Sequence, residues 1–253
     1  MGFFDRLRNA WKIFKLSFNL LKKDKSLVFI PVFMMFSSLI FILLFISEQI
    51  YSNLITLFLI LILFYFWITF LGAAQSWMVY EVLKGKNTNV SSGFKRASNN
   101  LWDIIQFVAV MIFIKIISSW LRGKGRIGEY AGRFINYISG IAGKLVLPAM
   151  IITERNFKDA VKQLKHSLKI VPEIAAYEIG IRPLTTLAFF IGLFLAFLFG
   201  VGFGFIIGIG FLFVYILFII LLSVYVNDTY YTVLYLTLIE KKKIKGLNLF
   251  IKK

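Results

Sequence analysis

Cysteine is absent from the sequence, and a single histidine, His166, is present. Without a thiol there is no disulfide framework, thiolate zinc site, iron–sulfur cluster or cysteine nucleophile. One imidazole leaves little room for a histidine metal site or for histidine acid–base chemistry, and His166 itself falls in a Lys-rich segment that reads as a solvated helix face. Charge is scarce as well: 16% of the 253 residues are charged, 59% are hydrophobic and the mean hydropathy is +0.82. Soluble domains carry about a quarter charged residues, so lipid is the expected solvent. P-loop, dinucleotide-binding and nucleophile-elbow signatures are missing from any plausible context. These absences point away from an enzyme and call for neither cofactor nor metal.

What the sequence does contain is long apolar runs. A bilayer core of about 30 Å needs roughly 20 helical residues. Spans are expected at about 27–46, 54–80, 101–121 and 134–153. The first follows a basic flank but has no small-residue cleavage site, so it reads as an uncleaved span. From Leu184 to Val226 there are 43 residues without a charge; as one helix they would extend about 64 Å. They must fold back, giving spans at 184–203 and 205–226, with Asn227, Asp228 and Tyr230 as a polar cluster closing the last. The expected fold is an all-α, single-domain transmembrane bundle of six spans with three cytoplasmic amphipathic helices.

Basic residues orient it. Segments 1–26, 81–100, 154–182 and 227–253 hold 23 of the 29 Lys and Arg residues, whereas the opposite side holds four, all in 121–133. Positive charge stays inside, so both termini are expected in the cytoplasm and the protein in the plasma membrane. The formal net charge of +17 does not imply nucleic acid, because the basic residues flank spans in small groups beside aromatics. That arrangement suits anionic lipid headgroups, with Trp11, Lys12, Lys15, Lys22, Lys23, Lys95, Arg96 and Lys165 as the expected contacts.

Three segments resemble one another: Trp11–Ser26, Ser91–Ile105 and Phe157–Ile174. Aligning Lys15, Lys95 and Lys165 brings Ser17, Ala97 and Ser167 into register, and each segment precedes a pair of spans. In the first, Trp11, Phe14, Phe18 and Leu21 share one helical face, as in an interfacial helix. Either these are true repeats of a helix plus a hairpin, or any Lys-rich segment between spans would look alike.

FKLSFNLLKKDKSLVFIPV (Phe14–Val32) carries a serine, then Lys-Asp-Lys, then a proline opening the first span. LPAMIITERNFKDAVKQLKHSLKIV (Leu147–Val171) places a proline in the fourth span, an acid at its end and an Ala-x(6)-Ser helix at Ala160 and Ser167. VLYLTLIEKKK closes the last span with Leu234-Tyr235. These segments resemble a group of archaeal and bacterial six-span membrane proteins, itself loosely similar to the membrane domain fused to some glycerophosphodiester phosphodiesterases. The resemblance covers most of the chain. It implies a six-span membrane fold and no established activity. The chain departs from the usual pairing after the serine, since Phe18 follows Ser17 and Leu168 follows Ser167.

Three ionisable residues fall near span interiors, where a charge costs about 2.5–3.5 kcal/mol on insertion scales. Lys144 lies near midplane, four residues before Pro148. Proline has no N–H, so the Lys144 carbonyl lacks its helical donor, and the pair could form an anion site or a gate. Snorkelling is the alternative for Lys144 and an easier one for Lys115. Asp103 sits in a first helical turn, where a carboxylate favours the dipole. The FGVGFG stretch (Phe199–Gly204) lacks the threonine, acid and polar mouth of a potassium filter. Gly192, Ala196, Gly200, Gly204 and Gly208 instead recur every fourth residue, a spacing for close helix packing or a turn. The leading functional expectation is a channel- or transporter-like homo-oligomer for small ions or solutes. The alternative is a structural role in organising lipid, binding lipid or assisting membrane-protein assembly.

Overall fold

The computed structural model describes residues 3–46, 53–165, 171–180, 182–242 and 244. It is all-α among these residues, with six helices long and apolar enough to cross a membrane. Helix α1 (Phe3–Lys23) buries Ala10, Ile13, Ser17 and Leu20 along one face and leaves Lys15, Lys22 and Lys23 exposed. Its Asp5 start and Lys22-Lys23 end complement the helix dipole. A single 3-10 turn, Lys25–Val28, leads into α2 (Phe29–Ile46). Helix α3 (Leu54–Leu83) is capped by Asn53, whose side chain accepts from the N–H groups of Ile55 and Thr56. The short α4 (Val90–Asn99) is capped in the same way by Asn89, and α5 (Leu101–Arg122) and α6 (Gly125–Thr153) form the second hairpin. Helices α7 (Phe157–Lys165) and α8 (Val171–Gly180) are short; α9 (Arg182–Phe203) and α10 (Phe205–Leu234) form the third hairpin. A π-helical turn, Tyr235–Ile239, ends α10.

Each hairpin thus follows one or two helices outside the six spans, in line with the plan of helix plus hairpin. Ser17 and Ala97, aligned in sequence, are both fully buried. In the third such segment the described residues form α7 over Phe157–Lys165 and α8 from Val171. His166 and Ser167 lie outside the described residues.

Two span boundaries also move. The fourth span begins at Gly125, not at 134. The glycines at 128 and 132, read as linker, are contact points inside a helix. A Cβ on Gly132 would lie 2.5 Å from the Ser118 carbonyl oxygen, and one on Gly128 would strike the Leu121 carbonyl. Ser118 Oγ, in turn, donates to the Gly132 carbonyl at 2.6 Å. The last span runs to Thr237, eleven residues past the expected end. Asn227, Asp228 and Tyr230 therefore sit within α10, not at its end. Their polarity breaks the apolar run, but they occur where α10 packs against protein.

The core gathers at one end of the bundle. Ile13, Leu27, Leu71, Met78, Ile104, Met150 and Tyr225 are essentially inaccessible and form a single cluster. All lie in the halves nearest Lys23, Leu83, Leu101, Thr153 and Ile239, here called the proximal end. At the distal end, near residues 46, 54, 123 and 204, large apolar side chains face outward on nearly every span. Helix α9 packs only on α10 and α8 to any extent, so the third hairpin meets the rest of the bundle mainly through α10.

Candidate functional site

Helix α6 continues unbroken through Pro148 and carries Lys144 nine residues before its end at Thr153. At 1.5 Å per residue that is about 14 Å from the proximal end of the span. Lys144 Nζ donates to Glu178 Oε1 at 3.2 Å and to the Tyr231 hydroxyl at 3.3 Å, and the Tyr231 hydroxyl donates to the same Glu178 oxygen at 3.2 Å. The ammonium also lies 4.7 Å from the Tyr231 ring centroid. One ammonium, one carboxylate and one phenol thus close a triangle that joins α6, α8 and α10. The carboxylate side chain is 19% exposed and the lysine 38%. A charge-assisted pair of this kind resolves the cost of a lysine in a span without a reach to the headgroups.

Aromatic packing fixes the partners. Tyr177, adjacent to Glu178, stacks on Tyr230 with centroids 3.8 Å apart and meets Tyr231 edge-on. Tyr225, one and a half turns earlier on α10, donates to the Ser17 carbonyl of α1 at 2.7 Å. Asp228 lies between them. Its Oδ2 is buried with no hydrogen-bond partner, and Lys144 is the cation whose field reaches the carboxyl.

The other candidates are placed elsewhere. Lys115 is not part of the cluster; its ammonium lies 4.1 Å over the Tyr65 ring of α3. Asp103 occupies the first turn of α5 but hydrogen-bonds another helix: its Oδ1 accepts the Phe157 N–H at 3.0 Å, at the start of α7. Among the glycines, Gly200 and Gly208 meet backbone to backbone, and a Cβ on Gly208 would fall 2.8 Å from the Ala196 carbonyl oxygen. A Cβ on Gly192 would collide with the Tyr215 ring. Gly204 forms the turn itself, with φ at +106°, where a side chain is strained. The every-fourth-residue series thus packs α9 on α10 inside one chain.

Of the expected headgroup contacts, Trp11 is 42% exposed with the Lys15 ammonium 5.6 Å from its ring, and Lys22, Lys23 and Lys95 are exposed. Lys12 is half-buried, and Lys165 is the last residue of α7. Arg96 turns inward: its Nε donates to the Ile151 carbonyl at 2.7 Å, its Nη1 to Glu154 at 2.6 Å, and its guanidinium stacks 4.5 Å over Trp77.

Two acidic residues that the sequence reading left without a role organise the proximal surface. Asp24 caps the turn before α2 and accepts the N–H groups of Ser26 and Thr88, each at 2.9 Å. Burial pushes its carboxyl up, but the hydrogen bonds from Ser26 and Thr88 outweigh it and hold the group below the ordinary value. Glu240, beyond the last span, accepts from Tyr235 at 3.0 Å and Gln163 at 2.9 Å, with Arg155 at 3.5 Å. There, too, burial acts upward, and the hydrogen bonds from Gln163 and Tyr235 and the nearby Arg155 and Lys242 leave the carboxyl lowered. The sequence signals for the membrane cluster are Glu178 within the apolar stretch IAAYEIGI and the tyrosines at 225, 230 and 231 on α10.

An apolar groove of about 650 Å³ separates α3 from α5, lined by Leu59, Leu63 and Phe66 on one side and Ile105, Ile112 and Ile116 on the other. Among the described residues, no group of three His, Cys, Asp or Glu side chains gathers to hold a metal. No family model, curated protein or solved structure matches this chain.

Proposed function

We propose that this multi-pass membrane protein is of the channel or transporter type, binding small ions or solutes at the Lys144–Glu178–Tyr231 cluster. The observation that carries the reading is the cluster's place: a charged pair well inside a span, joining three helices, beside a second acid, Asp228, whose Oδ2 is buried without a hydrogen-bond partner. Charged residues at such depth pair with one another and mark ion or substrate pathways. In this reading the protein sits in the plasma membrane as a homo-oligomer, termini in the cytoplasm, its basic amphipathic faces on anionic lipid. In this reading it binds and passes its ligand without catalysing a reaction. Reconstituted into liposomes, it should conduct a monovalent ion, and Lys144→Met should change the rate while leaving a folded protein. Leakage equal to that of empty liposomes would reject the reading.

The second reading, a lipid-binding or membrane-organising role, is favoured by the α3–α5 groove and by the peripheral place of α9. Its signature is bound lipid that survives purification and is lost on filling the groove at Ala109, which lines it on the α5 side, with Ala109→Trp, and no ion flux at any stage.

A further inference from the structure

Four buried side-chain oxygens in the proximal half lack any hydrogen-bond partner: Asp228 Oδ2, Thr229 Oγ1 and Thr232 Oγ1 on α10, and Gln75 Oε1 on α3. Thr232 and Gln75 have no accessible surface. Buried polar atoms are seldom left bare, because they have given up water without replacement, and a group of them points to a ligand.

Their placement favours one ligand. Asp228 and Thr232 are four residues apart on one helix, so their side chains lie one above the other on the same face. Helix α3 packs against α10, and both run from the distal to the proximal end. Gln75 is eight residues from the end of its span at Leu83, and Asp228 nine from Thr237; by helical rise the two sit at about 12 and 14 Å. Gln75 is held in orientation, since its Nε2 donates to the Leu27 carbonyl at 3.2 Å. A carboxylate, a hydroxyl and an amide carbonyl are hard oxygen donors, suited to hard cations. Asp228 supplies the one carboxylate among these oxygens, which suits a singly charged ion, whereas divalent sites gather several carboxylates or a retained water shell.

We infer that Asp228, Thr232 and Gln75 hold a monovalent metal cation of the sodium class between α3 and α10. The inference deepens the channel or transporter reading by naming its ion, but it is tested by binding and not by passage. The full chain, purified in detergent, is unfolded by heat in sodium chloride and in choline chloride of equal ionic strength. Sodium should raise the midpoint by several degrees in a saturable way. The rise should vanish in Asp228→Asn and shrink in Thr232→Val, the second variant serving if the first does not fold. Equal midpoints in the two salts would overturn the site, as would a sodium effect that both variants keep. Sodium stabilisation without ion flux would reject only the transport reading. Flux without sodium stabilisation would reject only this site.

Discussion

Lys144 shows how a single charge is kept inside a membrane: its ammonium is met by a carboxylate 34 residues later and a phenol 87 residues later. Lys144→Met leaves the Tyr231–Glu178 bond in place and should cost about 1–2 kcal/mol, read as a small fall in the detergent unfolding midpoint. Lys144→Glu would face Glu178 with Asp228 close by, and like charges in a low dielectric repel strongly. That variant should fail to yield a monodisperse protein on size-exclusion chromatography. The lysine was legible in the sequence because a charge stands out in an apolar run. Its partners were not, since periodicity reports which residues share a helix face and says nothing about which faces meet. Asp228 shows the limit most clearly. A polar residue inside a helix and one at its end look the same until packing shows the face to be covered.

Helix boundaries divide along the same line. Those of α2, α3 and α5 were close to legible, because apolar runs ended where charges or caps began. The start of α6 was hidden because the packing glycines at 128 and 132 also look like linker residues. The third hairpin depends on such glycines. Gly208→Leu should drive a side chain into the Ala196 carbonyl and the Gly200 backbone, an overpacking worth about 1–3 kcal/mol. Gly204→Ala should cost about 1–2 kcal/mol through its positive φ alone. Both should lower the unfolding midpoint, whereas Gly210→Ala, whose Cβ meets nothing within 4 Å, should not. Asp24 joins the first and second units, and Asp24→Ala should cost about 1–2 kcal/mol through loss of the cap. Its folded carboxyl titrates below the ordinary 3.8, so its contribution is full above that value and fades as pH falls through the folded one. The midpoints of wild type and Asp24→Ala should therefore converge only in strong acid.

For the molecule as a whole, the six-span plan was legible from hydropathy and charge, but the uneven distribution of packing was not. Tight packing at the proximal end needs contacts among α1, α3, α6, α8 and α10 that no local pattern announces. The proposed orientation, basic end inward, is tested by a membrane-impermeant thiol reagent on intact cells, which should label a cysteine at position 124 but not one at 95; the reverse would invert the topology. The uneven packing also bears on how the protein meets bilayers of different thickness. The last span has 33 residues and its neighbour in the hairpin 22, about 50 and 33 Å by helical rise against a hydrocarbon core of about 30 Å. A mismatch of that size is accommodated by tilt, and tilt is resisted where side chains interlock. The proximal end is therefore the fulcrum and the distal arms the levers. Spin labels at positions 124 and 203 should change separation as lipid acyl chains are shortened, while a pair at 95 and 158 should hold theirs, making membrane thickness a mechanical input to the protein's shape.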